Sequence, residues 1–310
     1  MSDTSNESIA AGQPAQRASF IALLRGRWET TGSLVCVGLD PDLERIPASV
    51  RGAAPERGAS EGDIEAALLG FTQAIVDATG DLVCAFKPNS AFFEQHGVAG
   101  MRALQRLIAH IHQRYPDVPV ILDAKRGDIG STSAAYARAA FDVMQADAIT
   151  LHPYLGREAL DPFLQRADRG CIILCRTSNP GAGEFQDVAL RGADGGMRPL
   201  YQRVAQAVAS TWNANGNCAL VVGATYPEEL GVVRELAGDL PILVPGIGAQ
   251  GGDLEAVIHN GLDARGHGLI ISLSRSVLYA ASGADFAEAG RREVERTLRA
   301  ITGARGSAGE

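Results

Sequence analysis

Short apolar runs, rich in β-branched residues, alternate along the chain with longer stretches whose apolar positions recur every three or four residues. The short runs fall at residues 34–39, 82–86, 118–122, 148–151, 171–175, 219–222, 242–244 and 268–272. Helical spacing is carried by 64–78, 101–112, 134–144, 200–212, 228–236, 254–258 and 286–301. Strands that are apolar on both sides and bracketed by helices predict a parallel sheet covered on its outer face. Eight such units in 310 residues match an α/β fold of the TIM (β/α)8 barrel type. A doubly wound open sheet is the alternative arrangement. No internal repeat or linker divides the chain, which predicts a single catalytic domain over 18–302. Residues 1–17 and 303–310 are expected to be a disordered N-terminal tail and a flexible C-terminal tail. The glycine-rich, polar stretch 176–198 after the fifth run is long for a connection, and long connections of this kind commonly serve as lids.

Composition narrows the function classes. Hydrophobic residues make up 46% and charged residues 21%, which is ordinary for a globular chain and excludes a wholly disordered one. No apolar stretch approaches the ~18 residues a membrane span requires. The polar start of the chain has no secretory-signal pattern. A net charge of −8 makes bulk nucleic-acid or anionic-membrane binding a poor expectation. The five cysteines contain no CxxC pair, and most sit in or beside strand-like runs. Reduced, buried thiols in a cytoplasmic protein are expected, with neither a zinc site nor a disulfide framework.

The basic residues carry a sharper signal. Of 28, only Lys87 and Lys125 are lysine. A bias toward arginine explains the majority but not the two exceptions. An ammonium can give up a proton near neutral pH, whereas a guanidinium in practice does not, so the retained lysines are candidates for proton transfer.

Catalytic groups of a TIM barrel sit at the C-terminal ends of its strands. Those ends hold Asp40, Lys87, Asp123 with Lys125 and Asp128, His152, Arg176 with Ser178, Thr225, Gly246 with Gly248, and Arg275. Both lysines are in the set. Asp123 and Lys125 alternate along the third strand and so should point to one face, with Lys87 entering from the neighbouring strand. An alternating array of two ammonium and two carboxylate groups compensates its own charge in a way that isolated buried ions do not. The bland alternative is a salt-bridge cluster that stabilises the barrel top.

Residues 246–251 satisfy GxGxxG, but they follow the seventh strand rather than the first. A phosphate cradle fits better than a dinucleotide site. It would be built from Gly246, Gly248 and Gln250 with a helix start near Asp253, and clamped by Arg275 from the eighth strand. A purely structural tight turn is the alternative. His152 is expected to be a hydrogen-bonded core residue. No HxH, HExxH or carboxylate cluster of metal-ligand spacing is present, and no metal or other cofactor is assigned.

The segment Asp123-Ala-Lys125-Arg-Gly-Asp128-Ile129-Gly-Ser-Thr132 resembles the DxKxxDIxxT motif of the orotidine 5′-phosphate decarboxylase family. Phe86-Lys-Pro-Asn89, His152-Pro-Tyr-Leu-Gly156 and Arg176-Thr-Ser-Asn-Pro-Gly181 are similar to its larger bacterial branch, and the likeness runs from about Phe20 to Ile301. It implies decarboxylation of orotidine 5′-phosphate to UMP without metal or cofactor. It also implies a homodimer of TIM barrels with the active site at the subunit interface. By motif position, Asp40 and Lys87 would bind ribose and Lys125 would protonate the pyrimidine C6. Asp123 would sit by the substrate carboxylate and orient Lys125. Asp128, Ile129 and Thr132 would reach in from the partner subunit, Ser178 would contact the pyrimidine amide, and Arg275 would bind phosphate. One position departs from the pattern: the family usually has Gly before the phosphate arginine, and this chain has Ser274. Three alternatives stay open: the resemblance also allows a Mg-dependent sugar-phosphate lyase or decarboxylase on the same DxKxxD frame, and the residues leave room for a non-catalytic nucleotide-binding barrel and a nicotinamide oxidoreductase built on the glycine motif.

Overall fold

The first strand, Val35–Leu39, is buried along its whole length and hydrogen-bonds a parallel neighbour on each side. In a computed structural model that describes residues 17–52, 54, 59–192, 195–247 and 253–307, this pattern repeats around a ring. The other strands are Ala85–Pro88, Ile121–Arg126, Ala148–Leu151, Gly170–Arg176, Cys218–Val222, Ile242–Pro245 and Leu269–Leu273. They are parallel in chain order, with the first beside the eighth. Bridges from Phe86 to Val120 and from Asn89 to Asp123 join the second strand to the third and close the barrel. The fold is therefore the TIM barrel, a single domain with helices outside.

Local chemistry sets the helix ends. Ser60 and Asp63 form a reciprocal capping box that starts the helix Glu61–Thr79. The spacing of buried Leu68, Phe71, Thr72, Ile75 and Val76 then turns one stripe of that helix toward the barrel. Burying each large apolar side chain of this kind contributes about 1.5–3 kcal/mol.

Several boundaries differ from the pattern expected of the sequence. The second and third strands begin about three residues later than their apolar runs and extend through charged residues, Lys87 in one and Asp123 to Arg126 in the other. An unanticipated helix, Phe20–Thr31, lies at the N-terminal end. Its Phe20 amide donates to Asp168, and its ring occupies the space a Cβ on Gly170 would need. Arg17, placed by the sequence in the tail, donates to both oxygens of buried Asp147. The rest of that tail lies outside the described residues. The last helix continues to Ser307, past the expected domain end at 302. The stretch 176–198 is not featureless: it holds the short helix Gly183–Gln186 and an antiparallel hairpin of Ala189–Arg191 with Met197–Pro199. All five cysteines are buried and free, and no helix among the described residues is long and apolar enough to cross a membrane.

Candidate active site

At the C-terminal mouth of the barrel, the Asp123 carboxylate stands between the two lysines of the chain. Lys87 Nζ donates to Oδ2 at 3.0 Å and Lys125 Nζ donates to Oδ1 at 2.6 Å. Thr150, on the fourth strand, completes the arrangement. Its hydroxyl donates to Asp123 Oδ1 at 2.9 Å and accepts from the Lys125 backbone N–H at 2.9 Å. Lys125 has a left-handed backbone, φ 48°, and the pairing of the third and fourth strands slips between Leu122 and Arg126. Simple alternation therefore does not aim Lys125. A bulge does, and Thr150 pins it.

Burial alone would lower the Lys87 amine, but the charges of Asp123 and Asp40 outweigh it and hold the group above its ordinary value. Burial alone would raise the Asp123 carboxyl, yet Lys87 and Lys125 hold it well below the usual carboxylate range. Both groups are thus fixed in their charged forms. Behind them, burial pushes the Cys36 thiol up to about 12, so it is an inert neutral neighbour.

The charged row separates two lobes of one groove. The first, about 330 Å³, is lined by Asp40, Arg45, Asn89, Gly246, Arg275 and Tyr279. The second, about 460 Å³, is lined by Lys125, Thr150, Thr177, Ser178 and Gln186. Lys87, Asp123 and Pro245 face both. In the first lobe, Ser274 Oγ donates to Asp40 Oδ2 at 2.6 Å. The Arg45 guanidinium lies 3.7 Å from the centroid of the Tyr279 ring. Neither Arg45 nor Arg275 has an ion pair with a described residue, so the lobe offers two cations to an anion. Over the second lobe, Gln186 accepts from the Thr177 N–H and donates to its hydroxyl, which docks the short helix of the long loop. Arg176 anchors that loop from below, 3.0 Å from Asp187 and stacked on Tyr226.

Of the residues singled out from sequence, Asp40, Lys87, Asp123, Lys125, Ser178, Gly246 and Arg275 come together on this groove. Asp128, Ile129 and Thr132 do not. Asp128 accepts from the Ile129 N–H, Ile129 is 60% exposed, and none of the three lines either lobe. Gly248 and Gln250 lie outside the described residues. Of the expected anion cradle, Gly246 lines the first lobe and the helix start at Asp253 is described, whereas the turn between 247 and 253 lies outside the described residues. The Asp253 carboxylate itself accepts from the Glu255 and Ala256 N–H groups and so occupies that end. His152 is a hydrogen-bonded residue, as expected: it donates to the Gly127 carbonyl and steadies the loop after the third strand. Sequence reasoning missed Arg45, Thr150 and Tyr279, and gave no role to Asn89 although it closes the Phe86-Lys-Pro-Asn89 match. Asn89 carried a signal, lying two residues past Lys87 on the same strand end, and Tyr279 lies one helical turn after Arg275. Among the described residues, no group of three or more His, Cys, Asp or Glu is arranged to hold a metal ion.

Two charged lysines on one buried carboxylate, flanked by an anion-receiving lobe and a lidded polar lobe, suit a phosphorylated substrate that develops negative charge at the junction. Comparison with known proteins agrees. Residues 33–289 match the family described as "Orotidine 5′-phosphate decarboxylase / HUMPS family". A protein of Azoarcus sp. named orotidine 5′-phosphate decarboxylase is 52% identical over 285 residues, covering 91% of this chain and 98% of its own. One of Ralstonia pickettii with the same name is 51% identical, covering 88% of this chain and 94% of its own. The solved structure of Leishmania donovani OMP decarboxylase aligns with a TM-score of 0.76 at 38% identity, covering 93% of this chain and 98% of that one.

Proposed function

The chain belongs to the orotidine 5′-phosphate decarboxylase family and converts orotidine 5′-phosphate to UMP and CO2 in pyrimidine biosynthesis; from that premise we propose that it does so with its own side chains alone, Lys125 delivering the proton. The phosphate enters the first lobe at Arg275 and Arg45, the ribose crosses Asp40 and Lys87, and the pyrimidine lies in the second lobe beside Ser178. The bond from C6 to the carboxylate breaks heterolytically and CO2 departs. The electron pair stays at C6, in the ring plane, and takes a proton from the Lys125 ammonium, which is later reprotonated from solvent.

Magnitudes decide how much Lys125 contributes. One ammonium at ~4 Å is worth about 4 kcal/mol at an effective dielectric near 20. Large enzymatic accelerations need about 8–23 kcal/mol. The remainder comes from the preorganised row Lys87, Asp123, Lys125 and from phosphate binding that closes the loop over the groove. Asp123, fixed in its charged form, repels a substrate carboxylate placed beside it, and that repulsion is relieved as CO2 leaves.

The protein works in the cytoplasm as a homodimer, and Asp128, Ile129 and Thr132 complete the partner's groove. Their position outside the lobes of their own chain supports this. Mixing inactive Lys125→Ala and Asp128→Ala chains should then restore activity at about a quarter of the sites.

One observation carries the reading: both oxygens of Asp123 are held by lysine amines at the junction of the two lobes. The direct test is the loss of orotidine 5′-phosphate absorbance with and without EDTA. Turnover unchanged by chelator is expected. Loss in chelator would point to a Mg-dependent relative, UMP binding without turnover would point to a non-catalytic barrel, and full activity in Lys125→Ala would remove the assigned proton donor.

A further inference from the structure

Ser274 stands at the N-cap position of the turn Arg275–Leu278, where a serine hydroxyl ordinarily accepts from the helix backbone, yet it makes no such cap bond. Its hydroxyl instead donates at 2.6 Å to Asp40 Oδ2, across the seam between the eighth and first strands. The other oxygen, Asp40 Oδ1, is buried and has no hydrogen-bond partner. Asp40 lines the first lobe, and a buried carboxylate oxygen without a partner is an acceptor that a donor from a ligand seated there can satisfy. The surroundings are shaped to the serine. A Cβ on Gly38 would meet Ser274 Cβ at 2.9 Å, so the glycine on the first strand leaves the room in which Ser274 sits. Tyr279 holds the backbone beside it, accepting from the Asp42 N–H at 2.6 Å.

We propose that Ser274 is a positioning residue, which fixes the Asp40 carboxylate so that its open oxygen accepts a ribose hydroxyl, and thereby makes the site selective for ribonucleotides over deoxynucleotides. The inference rests on the orotidine 5′-phosphate reading above. Because Ser274 immediately precedes Arg275, the same strand end that carries the phosphate arginine sets the sugar contact. Removing the serine hydroxyl frees the carboxylate to rotate, and the open oxygen loses its aim.

The test compares inhibition by UMP with inhibition by its 2′-deoxy and 3′-deoxy analogues, in the unaltered chain, in Ser274→Ala and in Gly38→Ala. The unaltered chain should prefer UMP over the analogue lacking the bound hydroxyl by roughly tenfold to a hundredfold. Ser274→Ala removes the hydroxyl, and Gly38→Ala displaces it while leaving it chemically present. Both should cut the preference by about fivefold or more, toward equal binding. A merely structural role would weaken all three inhibitors alike and leave the ratio unchanged, which overturns the inference. Absence of orotidine 5′-phosphate turnover in the unaltered chain would overturn the underlying reading. Normal turnover with an unaltered ratio in Ser274→Ala overturns only the role of the serine.

Discussion

Lys87 and Lys125 share one carboxylate at nearly the same range, but truncating them should have opposite consequences. Their distances to Asp123, 3.0 and 2.6 Å, correspond to Coulomb attractions of about 5–6 kcal/mol each at an effective dielectric near 20. Attraction therefore does not distinguish them. Burial does: the Lys125 side chain is 50% exposed and that of Lys87 only 6%. In Lys125→Ala, Asp123 keeps Lys87 and the Thr150 hydroxyl, and water takes the vacated side. The stability cost should stay within about 1 kcal/mol, as for exposed pairs. Activity should collapse, because a general acid is worth about 10²–10⁴-fold and its charge at C6 adds to that. In Lys87→Ala, two acids, Asp40 and Asp123, lose the buried cation between them. A cost of about 3–5 kcal/mol is expected. At roughly 2 °C per kcal/mol for a chain of this length, Tm should fall by roughly 6–10 °C, against no more than about 2 °C for Lys125→Ala. Thermal melts and the absorbance assay on both variants check this. A Lys125→Ala chain that melts below Lys87→Ala, or that keeps a tenth of its kcat, would refute the division of roles.

Four further outcomes are expected. Asp123 is held well below the usual carboxylate range, so its ion pairs contribute stability above about pH 4. That contribution is lost as pH falls through the lowered folded value, and Asp123→Asn should flatten the acid side of Tm against pH. Thr150→Val removes the hydroxyl that holds both Asp123 and the Lys125 bulge; kcat should drop by tenfold or more with KM little changed, since two hydrogen bonds of about 1 kcal/mol each are lost. Arg45→Ala should weaken UMP about tenfold and leave uridine unaffected in calorimetry, because only the nucleotide carries the anion; equal loss for both would exclude a phosphate contact. Arg176→Ala removes the buried anchor of Asp187, and backbone hydrogen exchange over residues 183–199 should accelerate while the barrel strands stay protected.

The barrel was legible in the sequence because its strands are buried on both faces and therefore read as continuous apolar runs. The same property misplaced the ends that matter. An apolar run stops at the first charge, but the second and third strands continue through Lys87 and through Asp123 to Arg126, because at the mouth Lys87 and Lys125 pair with Asp123 and Arg126 pairs with Glu94. The lysine count found the two amines without any geometry, and alternation put Asp123 and Lys125 on one face. Their meeting nonetheless depends on a left-handed residue and a register slip, which a periodicity of two does not contain. Thr150 reads as an ordinary strand residue until the bulge gives its hydroxyl two partners. Arg45 and Tyr279 are brought together only by closure of the barrel, since the eighth strand returns beside the first, and no local pattern links positions so far apart.

The central motif shows the same limit from the other side. Its ten residues are contiguous, yet the bulge at Lys125 turns the first half into the groove, whereas the turn that Asp128 makes with the Ile129 N–H leaves the second half exposed. A linear motif whose halves face different ways is economical only if the outward half has its own groove to fill. Nearby, Tyr154 and Leu155 are also exposed, at 76% and 45%, and the Tyr154 ring packs edge-on against exposed Phe185 of the long loop. An apolar rim beside an outward-facing polar tip is what a second barrel, approaching mouth to mouth, would cover. If that surface forms the dimer, Ile129→Asp should both shift the chain toward monomer in sedimentation and abolish turnover, although Ile129 touches neither lobe of its own groove. A monomeric Ile129→Asp chain with full activity would mean that each barrel is catalytically self-sufficient, and the outward half of the motif would then need another explanation.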